Sequence, residues 1–442
     1  MEKNTVVILG GGVAALGAAY ELVKHDVRPI IIEKSADIGG LAGSYHVDNY
    51  SIEKFYHHFF PTDEIVFQLA RELGLEDKLL WRKAPMGFYY KDRLYGFTSP
   101  LDILRFKPLS IVNRIRFGLT ILKIGRQKQF GQLDRKNARE WLIDEFGDEI
   151  YKKIFEPLLK IKFAMSLDRA SAAFVYGRLH ARAESRIKNI NAEKLGYMEG
   201  GYSQLLEAMH RTIKSKSTIM LNTEIESVAY GKKIGMFKVT IKKNGKRKVV
   251  IANHIINTLA LEIFSKLAKG FPPKLIRNIG KIKYQAVMCA TIGLRKKLSN
   301  YYWINISSAD MPVHGVIEHT NFIPKERYNG TTIAYVFNYV TPDDKLWKTD
   351  EKKLRSVYIE GLKKMFPHIK DTDILWFKLA KERFATPIFL QGYEENMNAV
   401  ESFRNLHFAG SFKIYPYSRN VNNVIRTGID AAGDVLKHLT TK

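Results

Sequence analysis

The chain opens with an apolar run, Val6–Leu9, then three glycines, an alanine-rich stretch and a second apolar run ending at Glu33. Short apolar runs bounded by glycine predict strands, and the alanine-rich segment between them predicts a helix. Further on, AVMCATIGL (286–294) and TTIAYVFNYV (331–340) read as strands, and DEKKLRSVYIEGLKKMF (350–366) reads as a helix. Between 103 and 133, Ile111, Ile115, Leu119 and Leu122 recur at helical spacing. At 242–248, Asn244–Gly245 separates two alternating segments and predicts an exposed hairpin tip. The whole predicts an α/β protein with a mixed sheet backed by helices in its later part.

Composition narrows the class. A chain of 442 residues, 45% hydrophobic and 12% aromatic, buries a large core and implies two or more domains. No apolar run approaches the roughly 18–20 residues that span a bilayer. The N-terminal apolar stretch is too short for a signal peptide, so a cytoplasmic protein is expected. A single cysteine, Cys289, excludes a disulfide framework. The net charge of +25 fits nucleic acid, anionic lipid, a phosphorylated substrate or plain solubility. No nucleic-acid recognition motif accompanies it. Segment 103–133 carries seven basic residues, from Arg105 to Lys128, and no acid. It reads either as a segment peripheral on an anionic membrane, on its inner face, or as a helix with a solvated basic face.

The glycines carry the chemistry. Gly10 permits a tight turn, Gly12 lets the backbone approach a pyrophosphate at the helix N-terminus, and Ala15 takes the third small position. Glu33, with Lys34 beside it, lies where an acid accepts ribose hydroxyls and would repel a 2′-phosphate. Strand, helix and acid together make a dinucleotide fingerprint, and the sequence holds one such fingerprint.

The stretch beginning at Glu33, EKSADIGGLAGSY, resembles the extended FAD signature of the amine oxidase, protoporphyrinogen oxidase and carotenoid desaturase superfamily. The resemblance places Gly39, Gly40 and Gly43 near the cofactor, with Leu41 where an arginine is common. It extends through 138–164, through the second glycine turn at 196–209, and through 219–230, where it lays the Val228 backbone over the adenine. It ends in NLHFAGSFKIYPYSRNVNNVIRTGIDAAGDVL (405–436), the C-terminal flavin motif. There Gly410 and Ser411 meet the cofactor, and the helix start at Asn422, Asn423 and Val424 points free N–H groups at the flavin pyrimidine carbonyl. This implies a discontinuous Rossmann-like FAD domain of glutathione-reductase type (1–75, 200–275, 400–442) and a substrate domain (76–199, 276–399). No cysteine lies near the C-terminal motif, which excludes a thioether link there, and the FAD is expected to be non-covalent.

FYHHFF (55–60) raises a separate question. No ligand cluster accompanies its histidines, so a metal site is not expected. On a strand His57 and His58 would face opposite ways. A local resemblance to UDP-galactopyranose mutases sets His57 beside the flavin and leaves His58 structural or solvent-facing. It also sets Tyr415 and Tyr417 toward a sugar nucleotide, but puts Ser411 where the mutases have arginine. Asn420 stands where amine oxidases place an aromatic, which weakens amine oxidation.

The expected activity is two-electron oxidation or desaturation of a lipophilic polyprenoid, carotenoid-like or porphyrinogen-like substrate, by hydride transfer to flavin N5. With a single dinucleotide turn, the substrate reduces the flavin, and oxygen, a quinone or another acceptor reoxidises it. The alternatives are a redox-neutral, mutase-like enzyme acting on a nucleotide sugar, and a non-catalytic FAD-bearing partner at a membrane. Oligomeric state does not follow from the sequence.

Overall fold

The computed structural model describes residues 5–127, 131–188, 194–308, 310–400, 403–417 and 419–440. Lys128 of the basic segment lies outside them.

A parallel five-stranded sheet runs in the order Leu406–Phe408, His254–Asn257, Val6–Leu9, Ile30–Ile32, Thr218–Met220. Its central strand is wholly buried, which explains its unbroken apolar sequence. Helix Val13–Lys24 comes directly after it. Its alanines favour the helix and keep it thin, and it stops where Asp26 takes a left-handed conformation. It packs against Ser203–Lys214 and Val421–Thr440. Glycines set the second contact. A Cβ on Gly17 would come 2.6 Å from the Ile425 carbonyl oxygen, and one on Gly428 would overlap the Ala14 carbonyl. Segment 219–230 is not one strand. It divides into Thr218–Met220, in the parallel sheet, and Glu224–Gly231, which joins Met236–Lys243 and Lys246–Ala252 in an antiparallel sheet. The turn at Asn244–Gly245 has both residues at positive φ, as the hairpin predicts.

A seven-stranded mixed sheet stands apart, in the order 374–387, 284–294, 332–340, 315–318, 303–306, 86–90, 93–96. Strand Thr332–Val340 is buried on both faces but still alternates. Ala334, Val336 and Val340 pack with Leu354, Tyr358 and Leu362 of helix Glu351–Met365. Tyr335, Phe337 and Tyr339 face the other way. Helices 111–126, 138–146 and 172–188 pack on one another beside this sheet.

Candidate active site

One cavity of about 430 Å³ reaches from the glycine turns into the space under the mixed sheet. Gly12, Gly39 and Gly410 bound one end, and Phe155, Leu159, Phe174, Trp303 and Phe337 line the interior.

The glycine turns interlock. Gly39 N donates to Gly11 O at 2.8 Å, and Gly40 at φ +56° leaves only 3.3 Å between an added Cβ and Gly12 Cα. Gly10, at φ +99°, and Gly410, at φ +135°, occupy conformations that favour glycine. Gly12 differs. Its φ of −75° suits any residue, and an added Cβ would meet nothing within 4 Å. The fold does not require glycine here, and the backbone is left open to a ligand. The Glu33 carboxylate accepts from Gly11 N at 2.6 Å and Ser35 N at 2.7 Å, which holds it beside the turn. Ala15 is buried beneath, and Gly43 closes the turn by donating to Gly40 O. These residues fit a dinucleotide.

Other expected residues lie elsewhere. Lys34 pairs with Glu224 at the surface. Val228 is buried within the antiparallel sheet, opposite Val239, and does not reach the cavity. Asn422 points inward and accepts from Val66 N at 3.1 Å, fastening helix Glu64–Glu72, and it donates to Asn423. The end of helix Val421–Thr440 faces the cavity through Asn420, Val421 and Val424 instead. Asn420 caps it by accepting from Asn423 N, and its amide donates to Asp63.

The tyrosine expectation fails on geometry. The Tyr415 hydroxyl is tied to Ser171 and Asp134, and its ring packs on Phe389 and Tyr393. Tyr417 is 56% exposed. Neither lines the cavity, because the chain turns away after Phe412; Ser411 and Phe412 reach it in their place. The histidines also differ from the strand expectation. Residues 56–58 are not in a strand, so period-two alternation does not apply, and both rings line the cavity. His57 Nε2 lies 3.1 Å from Leu41 O, which can only accept, so Nε2 carries the proton. Burial drives His57 down to about 4 and His58, beside Arg182, to about 3. Both are neutral near pH 7.

Several cavity residues escaped the sequence reading: Tyr56, Lys162, Arg178, Arg182, Tyr339 and Arg419. The i, i+4 spacing of Arg178 and Arg182, and the aromatic alternation of 335, 337 and 339, were signals available in the sequence. The Tyr56 and Tyr339 oxygens are 3.1 Å apart, and Lys162 Nζ stands 3.3 Å from the centre of the Tyr339 ring. Burial raises the Tyr339 phenol. The charges of Lys162 and Arg419, with the Tyr56 contact, outweigh it and leave the phenol below its ordinary value. Burial raises the Tyr56 phenol strongly. Among the described residues no group of three His, Cys, Asp or Glu side chains could hold a metal.

Glycine turns at the ends of parallel-sheet strands, bounding a cavity that runs under a second sheet, define an α/β nucleotide-cofactor protein. The chain belongs to the family of flavin-containing amine oxidoreductases, which it matches over residues 16–436. It is thus a flavoenzyme, and FAD is its cofactor. It is 25% identical to the coproporphyrinogen III oxidase of Staphylococcus aureus over 52% of this chain and 56% of that protein. It is 22% identical to the L-amino-acid oxidase of Naja atra over 97% of this chain and 87% of that one. The chain thus spans little more than half the length of the first of these relatives. Its fold is similar to that of a candidate protoporphyrinogen oxidase from Exiguobacterium sp. 255-15 (TM-score 0.78, 16% identity, 99% and 100% coverage). It is also similar to that of reduced UDP-galactopyranose mutase (TM-score 0.76, 16% identity, 99% and 96% coverage).

Proposed function

We propose that the protein is an FAD-dependent oxidase or desaturase that removes two electrons from a substrate with an extended apolar body. The observation that carries this reading is the continuity of the cavity. The space bounded by Gly12, Gly39 and Gly410 continues between Phe155, Leu159, Phe174, Trp303 and Phe337. FAD, when bound, supplies a two-electron acceptor that takes hydride from a substrate carbon.

The chain's residues bind, orient and exclude water. Gly12 would seat the pyrophosphate, with Gly10 making the turn and Ala15 packing beneath it, Glu33 with Lys34 beside it would meet the ribose, the Val228 backbone the adenine, and Gly39, Gly40 and Gly43 the flavin side. Gly410, Ser411 and the start of the last helix, which meets the cavity at Val421 and Val424, would face the pyrimidine edge, where the positive end of the helix offsets developing negative charge. His57, neutral and donating to Leu41 O, holds that loop against the chamber. Within this reading the FAD part is a glutathione-reductase-type unit of 1–75, 200–275 and 400–442, and 76–199 with 276–399 forms the substrate part. The cofactor is non-covalent, and helix 111–126 rests on an anionic membrane surface that presents the substrate.

An anaerobic titration tests the activity. Purified yellow protein should bleach with a polyprenoid or a porphyrinogen and stay oxidised with primary amines. Bleaching by amines alone, or by none of these, would overturn the reading. A mutase-like, redox-neutral enzyme is the second reading, favoured by one observation: Lys162, Arg178, Arg182 and Arg419 bring to the cavity the cation that Ser411 lacks. Its mark would be conversion of a UDP-sugar by pre-reduced protein without net flavin oxidation.

A further inference from the structure

The charged side chains lining the cavity are all of one sign. Lys162 enters from helix Glu156–Phe163, Arg178 and Arg182 lie one turn apart on helix Ala172–Lys188, and Arg419 precedes the last helix. Among the described residues no carboxylate lines the cavity. Arg419 donates to Ala385 O at 2.9 Å. The Arg178 guanidinium lies 5.6 Å from the centre of the Phe174 ring and meets no carboxylate or other hydrogen-bond acceptor among the described residues. Lys162 has only the face and oxygen of Tyr339.

Burial drives Arg178 below its ordinary value and Lys162 down to about 8, the signature of cations gathered without a full counter-charge. Buried charges are costly unless paired. His57, His58 and His314 are neutral and offset nothing, and Tyr339 can supply one negative charge at most. The cofactor's pyrophosphate belongs at the glycine turns of the parallel sheet. Arg178 and Arg182 sit on a helix that packs against 111–126 and 138–146.

We propose that the substrate carries an anionic head, a carboxylate or phosphate, on its apolar body, and that Arg178, Arg182 and Lys162 bind that head. The assignment rests on the reading of the cavity as the substrate chamber. It separates this chain from amine oxidation, since an ammonium head would face the Arg178 and Lys162 cations.

Binding to the oxidised, FAD-loaded full chain tests the assignment without turnover. Calorimetric titrations would compare decanoate, decyl phosphate, decylamine and decanol at constant ionic strength. Decanoate or decyl phosphate should bind about tenfold or more tightly than decanol, and decylamine should not bind. The two anions also tell carboxylate from phosphate. Arg178→Met and Arg182→Met should each lose about tenfold for the preferred anion, while decanol affinity and flavin content hold. Arg178→Lys should retain part of the affinity. Equal binding of all four probes, or anion affinity untouched in both methionine variants, would overturn the assignment. The outcomes also separate the two ideas. An uncharged substrate that bleaches the flavin while no anion binds leaves oxidation standing and removes the anionic head. Tight anion binding with no reducing substrate does the reverse.

Discussion

At the scale of single residues, glycines that look alike in sequence do different work. Gly10 is needed for its backbone: at φ +99° a side chain is strained, and its Cβ would come 2.8 Å from Thr258 Oγ1. Gly12 has an ordinary φ and open space before it, so only a ligand is displaced by a side chain there. The expected outcome is a clean separation. Gly12→Val should fold with the thermal transition of flavin-stripped wild type yet purify colourless. Gly10→Val should lose stability as well, by roughly 1–3 kcal/mol. Flavin absorbance and melting curves check both, and a yellow Gly12→Val protein would remove the cradle from the cofactor site. The fingerprint was legible because its spacing is local. Tyr415 and Tyr417 were misplaced because an ungapped match says nothing of where the chain turns, and after Phe412 it turns away.

Among the elements, helix Ile111–Arg126 shows what periodicity can and cannot say. The stripe Ile111, Ile115, Leu119 and Leu122 was readable, but the helix buries Phe117, Thr120 and Ile124 instead. Ile111 is 70% exposed and Leu119 63%, with Val112 beside them. The cations are less free than their sequence suggests. Arg114 donates to Leu109 O and Leu104 O, Arg116 to the carbonyls of Asp144 and Glu145, and Lys123 pairs with Glu145. Reversing those charges would disturb the fold, so the apolar face is the better probe. Wild type should sediment with anionic liposomes, and Ile115→Asp/Leu119→Asp should not, at unchanged melting temperature and flavin content. Equal sedimentation of the two proteins would mean that this face does not dock on lipid. No described helix is long and apolar enough to cross a membrane.

For the whole molecule, buried histidines set the acid limit. Burial lowers His57, His314 and His407 to about 4, and His58 and His319 to about 3. A lowered histidine contributes stability above its unfolded value, near 6.5, and loses it as pH falls toward the folded value, because the unfolded chain binds the proton first. Burial works the other way on carboxyls. Glu318 rises to about 7 and Asp63 to about 6, and Glu53 and Asp430 rise as well, so the native state holds those protons and is favoured by acid. The five lowered histidines outnumber these four carboxyls between pH 6.5 and 4.5. The loss then steepens below about 4.5, where the unfolded chain also protonates its carboxyls. Melting temperature measured from pH 7 to pH 4 should therefore fall slowly at first and steeply below 4.5. A flat profile would mean that these histidines are solvated.

The sequence alone determined what is local: the strand, turn, helix and acid of the cofactor fingerprint, the hairpin at Asn244–Gly245, the strands at 286–294 and 331–340, and the amphipathic stripe at 111–122. Each depends on backbone preference or on a period of two or 3.6 residues, and these act between near neighbours. Only the tertiary structure decided what fills the chamber. Lys162, Arg178, Tyr339 and Arg419 come from four separate segments of the chain, and no spacing rule links them. Their charges meet because a mixed sheet and a helical layer close over one cavity. Once they share one buried cavity, the field of each is felt by the others, and the chamber takes on a positive character that no single segment carries.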